Sequence, residues 1–288
     1  ILKRTADAYR RLRNTARFLL ANLTGFDPIE HALPPERMLM LDRWAVERAR
    51  QLQDEIQRAY DNYEFHLIYQ RVHNFCAVDL GSFYLDVIKD RQYTCKTDSV
   101  ARRSAQTAMY LIVEAMVRWL APILSFTADE IWKYIPGERG QSVFLETWFE
   151  LPAMFQADDA AAARYDMDFW KQVMAVREVV AKELERLRVA GGIGSSLDAE
   201  VDLYCGRELH DRLRRLNDEL RFVLLTSYAR VHLVSTPPEN GVHFTLAAGD
   251  ELWVTAAPSA HAKCVRCWHH RDNVGRNDAH PELCGRCV

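Results

Sequence analysis

Apolar residues recur every three or four positions through the first half of the chain, the spacing of one buried face of an α-helix. The first such run extends from Leu2 to Leu23 and is ended by Thr24-Gly25 and then Asp27-Pro28. Long helices joined by short loops predict an elongated antiparallel bundle of about 30–40 Å. Four further helices are predicted, at Met38 to Ala59, at Phe65 to Val87, at a segment with apolar positions from Ala108 to Ile123, and at Thr127 to Tyr134. The third of these is expected to be capped by Thr97 or Asp98 and ended by Pro122.

The second half of the chain alternates between strand-like and helical patterns. Val143 to Trp148 has the pattern of a strand, and Asp158-Asp159 with the four alanines after it predicts a linker. A charged helix is predicted from Asp168 to Val189. The remaining predicted elements are strands at 197–203, 231–234, 242–246 and 251–256, and a helix from Glu208 to Leu225. The chain is therefore expected to be mainly α, with a helical bundle over 1–158, a small α+β domain over 159–258 and a cysteine ribbon over 259–288.

Two Cys-x-x-Cys pairs lie near the end of the sequence, Cys264 with Cys267 and Cys284 with Cys287, and 16 residues separate them. This spacing is typical of a zinc ribbon, in which four thiolates surround one Zn²⁺. Four thiolates leave no open position for water, so the zinc is expected to be structural. One alternative is four unpaired thiols. Another is a site in which a nearby histidine replaces one thiol, the candidates being His261, His269, His270 and His280.

Arg266 and Trp268 flank the second cysteine of the ribbon and make it basic and aromatic. Such a pair suits stacking on an unpaired nucleic-acid base. The alternative is a tryptophan that packs over the cysteine cage.

The chain has 288 residues and a net charge of −3, so any contact with nucleic acid requires a local basic patch. One such patch is the first helix, where Ile1 to Thr24 holds six Lys or Arg against a single Asp. Lys3, Arg10, Arg13 and Arg17 project within about 80° of one another at 100° per residue. Arg13 lies at the border of the apolar face, so we expect its guanidinium beside a groove. The alternative is an ordinary solvated basic face.

No catalytic motif is visible, because the chain lacks a GxxxxGK[ST] loop, an HExxH pair and a GxSxG elbow. Gly191 to Ser196 is typical of a helix stop rather than of a phosphate cradle. The charged quartet Asp86, Lys89, Asp90 and Arg91 is typical of a local ion-pair network. The cysteine pattern suits a reducing, cytoplasmic setting, and no apolar run is long enough to span a membrane. The chain begins in a helical pattern without Met and is interpreted as a piece of a longer protein.

Five segments resemble bacterial isoleucyl-tRNA synthetase: Tyr9 to Pro28, Ser82 to Thr94, Leu120 to Trp132, Gly191 to Tyr204 and Cys264 to Val288. They occur in order along the whole chain. The bundle alone would also fit the valyl or leucyl relatives, and the terminal four-cysteine ribbon favours the isoleucyl family.

The resemblance implies the anticodon-binding, junction and zinc-ribbon part of a class I aminoacyl-tRNA synthetase. Such an enzyme attaches isoleucine to its tRNA using ATP and Mg²⁺, in a catalytic domain of the same polypeptide that is absent from this chain. This piece alone is then expected to be non-catalytic, monomeric and cytoplasmic. The resemblance places tRNA contacts at Arg13, Asn14 and Arg17 and at Arg266 and Trp268, and Arg10 joins them from the basic stripe of the first helix.

Two other classes of function stay open on the sequence. A stand-alone zinc-ribbon nucleic-acid binder is one, since formamidopyrimidine-DNA glycosylase has a similar ribbon, although its catalytic N-terminal proline is absent here. A purely structural tail is the other. Binding of tRNA would distinguish the three.

Overall fold

The computed structural model describes residues 2–155 and 166–288, and the predicted linker at 158–163 lies outside them. The chain divides into two units, Ile1–Asp166 and Met167–Val288. The first unit is helical. Its α-helices are α1 Leu2–Asn22, α2 Pro28–His31, α3 Met40–Asp61, α4 Phe65–Asn74, α5 Leu85–Thr94, α6 Val100–Leu120 and α7 Ser125–Trp132.

The core of the first unit is built where α3 and α6 pack on each other and on α1 and α4. Trp44, Phe75 and Trp119 are among its fully buried side chains. Asp42 of α3 is also fully buried and accepts hydrogen bonds from Tyr84 (2.8 Å), Arg91 (3.2 Å) and Ser104. A buried carboxylate is tolerated only when it is paired and hydrogen-bonded, so this one carboxylate ties α3 to three other elements.

The predicted third helix is continuous but not uniform. Between α4 and α5 the ten residues Phe75–Tyr84 form a π-helical segment, which helical periodicity did not predict. A π-helix is wider than an α-helix and is frequent at functional sites. Gly81 lies in this segment, and a Cβ there would meet the carbonyl oxygen of Cys76 at 2.8 Å. Glycine is therefore required at this position for close backbone packing.

Two local predictions in the first unit were wrong. Val143 to Trp148 is not a strand: Val143–Leu145 is a single 3₁₀ turn, and Phe144 and Leu145 are exposed. The Ser142 side chain bonds both the N–H of Phe144 and Asp129, and Arg118 donates to the carbonyl of Thr147 (2.9 Å). These contacts give backbone N–H and C=O groups of the segment hydrogen-bond partners without a neighbouring strand. The N-cap of α6 is Ser99, whose Oγ accepts from the N–H of Arg102, and not Thr97 or Asp98.

The second unit is a four-stranded sheet with helices. Its strands are β1 Ala199–Cys205, β2 Tyr228–Leu233, β3 Val242–Thr245 and β4 Glu251–Pro258. Strand β1 pairs in parallel with β2 and antiparallel with β4, and β3 pairs antiparallel with β4, so the strand order is β2-β1-β4-β3. Alternate residues of β1, from Ala199 to Cys205, are buried. The α-helices of this unit are α8 Met167–Val189, α9 Arg207–Arg214 and α10 Glu219–Leu224.

The predicted helix from Glu208 to Leu225 is in fact the two helices α9 and α10. The break contains Asn217, whose φ of 46° lies in the left-handed region that a continuous helix excludes. The stop after α8 agrees with the sequence, because Gly191 has φ 77° and the N–H of Gly192 bonds the carbonyl of Leu187. No helix within the described ranges is long and apolar enough to cross a membrane.

Candidate metal centre and nucleic-acid interface

The two Cys-x-x-Cys pairs converge in the second unit. The four Sγ atoms all lie within 4.8 Å of one another, and those of Cys267 and Cys284 are 3.7 Å apart. A tetrahedral zinc site with bonds of about 2.3 Å has sulfur–sulfur edges of about 3.8 Å. The N–H of Cys284 also donates to the Cys264 sulfur at 3.3 Å, as expected for a thiolate acceptor. The donor set and its spacing therefore fit Zn²⁺.

Two of the nearby histidines, His269 and His270, have other partners. His269 bonds the carbonyl of Cys267, and His270 bonds the carbonyl of His261 and the carboxylate of Asp198. Among the residues that the structure describes, the metal-binding group comprises the four cysteines alone.

The ribbon has almost no apolar core of its own. All four cysteines are buried, and Val274 and Leu283 are the partly buried apolar residues packed against them. So small a core cannot fold a segment of this size, and a bound metal supplies folding energy in such cases.

The cysteine thiols differ in acidity because their surroundings differ. Burial raises the pKa of Cys264, but backbone N–H donors, led by those of Cys267 and Cys284, outweigh burial and lower the pKa to about 6. Burial, with the negative charge of the neighbouring cysteines, raises the pKa of Cys267 to about 12. The ribbon thus provides N–H donors for some thiolate charge, and a cation would compensate the rest.

Three arginines gather beside the cysteine cage. Arg221 forms two hydrogen bonds with Asp218, of 2.7 and 2.8 Å, and its guanidinium lies over the ring of Phe222. Arg271 lies over Tyr228, and Arg286 lies over Phe222. Burial raises the pKa of Asp218, but Arg221 first, and then the other two arginines, bring it below its ordinary value. Four thiolates on a Zn²⁺ ion would carry a net negative charge, which this cluster would help to balance.

Trp268 is held by the first cysteine pair. Its backbone lies in the left-handed region, at φ 64°, and its N–H donates to the carbonyl of Cys264 at 2.9 Å. The residue is 62% exposed, which disfavours the alternative in which the indole packs over the cage. Arg266, between the two cysteines, is exposed on the same turn. The sequence motif therefore presents an aromatic and a cationic side chain together on a rigid turn.

In the first unit, α1 exposes its basic stripe between two grooves. The α1–α7 groove has a volume of about 580 Å³. Arg13 and Arg17 line it from α1, and Arg13 faces Glu130 at 3.9 Å. Its other lining residues are Leu20, Ala21, Leu23, Thr24, Thr127, Ile131, Tyr134 and Pro136.

The α1–π groove lies on the other side of the stripe, between α1 and the π-helical segment, and has a volume of about 540 Å³. Arg10 and Asn14 line it. The four predicted contact residues of α1 are therefore divided between two grooves. The other lining residues are Asp7, Arg11, Thr15, Phe18, Cys76, Gly81, Leu85 and Lys89.

Several residues at these grooves were not predicted from the sequence. Tyr134 lines the α1–α7 groove and is 70% exposed. Arg11 and Lys89 line the α1–π groove. Arg11 lies on α1 itself, next to the predicted Arg10. Tyr134 and Lys89 come from other parts of the chain, so their location at these grooves depends on packing across the bundle.

Comparison with known proteins defines the family. Residues 42–203 match the model of the anticodon-binding domain of tRNA ligase, which is more than half of the chain. The chain belongs to the anticodon-binding domain family of tRNA ligases. Residues 263–288 match a second model, described as a zinc finger found in FPG and IleRS, and this match contains all four clustered cysteines.

This anticodon-binding chain is similar along its full length to bacterial isoleucine–tRNA ligases. It is 62% identical to that of Nitrosococcus oceani over 289 residues, 62% to that of Thioalkalivibrio sulfidiphilus and 60% to that of Alkalilimnicola ehrlichii, each over 288 residues. The whole chain is covered in each case, together with 30% of the relative. The chain thus spans about a third of the length of the relatives it matches.

Proposed function

We propose that this chain is the tRNA-binding region of an isoleucine–tRNA ligase and that it recognises the anticodon stem-loop of isoleucine tRNA. The main support for the proposal is that one chain contains both an anticodon-binding helical unit with basic grooves and a cysteine ribbon. The same chain is similar along its whole length to isoleucine–tRNA ligases. Unpaired loop bases are commonly read by aromatic stacking combined with hydrogen bonds to base edges.

The proposed contacts come from both units. Arg10, Arg13, Asn14 and Arg17 supply hydrogen bonds and positive charge from α1. On the ribbon, Trp268 stacks on an unpaired base and Arg266 contacts the base or its phosphate. The exposed indole on a fixed turn supports this role, because a rigid aromatic loses little conformational entropy when it stacks.

We propose that Cys264, Cys267, Cys284 and Cys287 hold one structural zinc ion. The ion would bring the two cysteine pairs together and fix the turn that carries Trp268. The proposed role is architectural, because four cysteine ligands leave no position for a reacting water.

We propose that the ligase activity belongs to the parent enzyme and not to this chain alone. We propose a class I ligase that uses ATP and Mg²⁺ in a catalytic domain of the same polypeptide and acts as a cytoplasmic monomer. The chain alone would not activate isoleucine. Within it, we retain the division into a bundle at 1–158, a junction domain at 159–258 and a ribbon at 259–288.

The test is a titration of the purified 288-residue chain with isoleucine tRNA and with a DNA hairpin of matched length. Tight binding of the tRNA and weak binding of the hairpin is the expected result. The second candidate, a stand-alone zinc-ribbon DNA binder, is favoured by the zinc-finger family that also includes FPG. That candidate predicts the opposite preference. A chain that binds neither nucleic acid would contradict both proposals.

A further inference from the structure

We propose that the α1–π groove is a second, sequence-independent site that holds a backbone phosphodiester of the bound RNA. Arg11 and Lys89, which neither the family models nor the basic stripe of α1 single out, would be its principal contacts. The inference rests on the proposed function, since it assumes that RNA is the ligand. It assigns a different kind of RNA contact to each side of α1.

The geometry of the groove comes from the π-helical segment. Gly81 of this segment lines the groove, and a Cβ at this position would meet the carbonyl oxygen of Cys76 at 2.8 Å. Lys89 of α5 and Arg11 of α1 also line the groove, so two different helices supply it with cations. The groove is about 540 Å³, and this is ample space for a nucleotide phosphate with its sugar.

The charges of the α1–π groove favour an anion. Three cationic side chains line it, Arg10, Arg11 and Lys89, against one acidic side chain, Asp7. Arg10 pairs with Asp7 at 2.6 Å and Lys89 with Asp86 at 2.8 Å, both in exposed (i, i+3) pairs. Exposed pairs of this kind are worth little in water, so either cation can turn to a phosphate at small cost.

Arg11 is the most available of the three cations. It is exposed, and no carboxylate in the described ranges 2–155 and 166–288 forms an ion pair with it. Arginine binds phosphate oxygens through two parallel N–H donors, which makes it well suited to a backbone contact.

The α1–α7 groove differs in character. Arg13 there faces Glu130, and much of the remaining lining is apolar or aromatic, including Ile131 and Tyr134. That combination suits the planar face and polar edge of an unpaired base. The α1–π groove has no aromatic lining apart from Phe18, among the residues that the structure describes, and offers charge instead. We therefore assign base contact to the first groove and phosphate contact to the second.

The test measures the salt dependence of RNA binding by the full chain and by two variants, Arg11→Gln and Lys89→Gln. The probes are the isoleucine anticodon stem-loop and the same stem-loop with a substituted anticodon. Each lost phosphate contact should reduce the slope of log K against log[salt] by about 0.7–0.9. Affinity should fall about two- to fivefold for both RNAs alike.

Lys171→Gln is the matched control. Lys171 also forms an exposed (i, i+3) ion pair of 2.8 Å, with Asp168, but lies on α8 of the other unit. The inference requires that this variant leave affinity and slope unchanged.

Unchanged affinity and slope in Arg11→Gln and Lys89→Gln, with the unchanged chain still binding RNA, would overturn the phosphate site and leave the proposed function intact. So would a loss confined to one of the two RNAs. Failure of the unchanged chain to bind either RNA would overturn the proposed function itself.

Discussion

The backbone N–H of Trp268 donates a 2.9 Å hydrogen bond to the carbonyl oxygen of Cys264, the first cysteine of the ribbon. This bond closes the turn and fixes Trp268 in the left-handed region, with its indole 62% exposed. A non-glycine residue in that region is uncommon and persists only where the surrounding structure holds it. Here the neighbouring cysteine pair provides that restraint.

Replacement of the indole should therefore weaken RNA binding without unfolding the ribbon. Base–aromatic stacking is worth about 1–3 kcal/mol, so Trp268→Ala should reduce affinity for the isoleucine anticodon stem-loop about 5- to 150-fold. Trp268→Phe keeps an aromatic ring and should lose less. Fluorescence anisotropy with labelled RNA measures the affinities, and a zinc assay of each variant verifies the ribbon. If Trp268→Ala retains zinc and full affinity, the stacking role is wrong.

Loss of one cysteine should remove the metal and unfold the ribbon. Cys284→Ser should abolish binding of about one equivalent of zinc per chain, because no fourth thiolate remains to complete the tetrahedron. Elemental analysis after dialysis against a weak chelator is the measurement. Cys205→Ser is the control, since Cys205 is buried in β1 outside the cluster and its replacement should leave the zinc content unchanged. Retention of a full equivalent by Cys284→Ser would contradict the four-cysteine site.

The ion pairs of Glu114 should contribute strongly to the stability of the first unit. It is buried in α6, accepts from Arg118 at 2.6 Å and also pairs with Arg139. Both guanidinium groups lie over the ring of Trp132. Glu114→Gln removes the carboxylate that both cations share and leaves Arg118 with a longer contact to Glu146 at 3.8 Å. The substitution should lower the free energy of unfolding by about 3 kcal/mol. Urea unfolding followed by circular dichroism measures this. Glu30→Gln, at an exposed position, is the control and should have no measurable effect.

The same carboxylate should make the first unit sensitive to acid. Burial raises the pKa of Glu114, but Arg139 and Arg118 outweigh burial and hold the pKa below its ordinary value. Its contribution to stability is thus fully present above the unfolded pKa of about 4.3 and is lost as pH falls through the lower folded pKa. The stability difference between the unchanged chain and Glu114→Gln should therefore shrink below about pH 4. A stability difference that stays constant down to pH 2 would show that the Glu114 carboxylate does not cause the acid sensitivity.

Much of the fold follows from local periodicity. Helices α1, α3, α6 and α8 were predicted nearly to their ends, because each has an apolar face of helical spacing and clear stop signals. The cysteine spacing likewise predicted the cluster. Val143 to Trp148 shows the limit of such patterns, because Arg118 of α6 bonds the carbonyl of Thr147 and the preceding Ser142 bonds Asp129 of α7. An alternating pattern forms a strand only when a neighbouring strand is available.

The candidate site was predictable in part for the same reason. Helical spacing placed Arg10, Arg13 and Arg17 on one exposed face, since that depends on α1 alone. It could not reveal that this face separates two grooves, because the opposite walls come from α7 and from the π-helical segment. Lys89 was interpreted only as a member of a local ion-pair network. That pair with Asp86 is present, but the location of Lys89 in the same groove as Arg11 depends on tertiary packing.

Tyr134 should contribute to base contact in the α1–α7 groove. It is 70% exposed and lies beside Arg13 and Arg17 in the groove lining. Tyr134→Ala should weaken binding of the isoleucine anticodon stem-loop at least fivefold, the lower end of the energy of base–aromatic stacking of about 1–3 kcal/mol. Tyr69→Ala removes an exposed tyrosine of α4 that lines neither groove and should leave the affinity unchanged. Equal affinities for the two variants would exclude Tyr134 from the interface.

We predict that this chain distinguishes the isoleucine anticodon from other anticodons. The most direct measurement is a titration of the unchanged, zinc-loaded chain with the isoleucine anticodon stem-loop and with a stem-loop that differs only in the three anticodon bases, at one fixed salt concentration. Phosphate contacts are identical in the two RNAs, so any difference in affinity comes from base contacts. We predict that the isoleucine stem-loop binds about 5- to 150-fold more tightly, as expected from about 1–3 kcal/mol of base discrimination. Equal affinities for the two stem-loops would contradict the account.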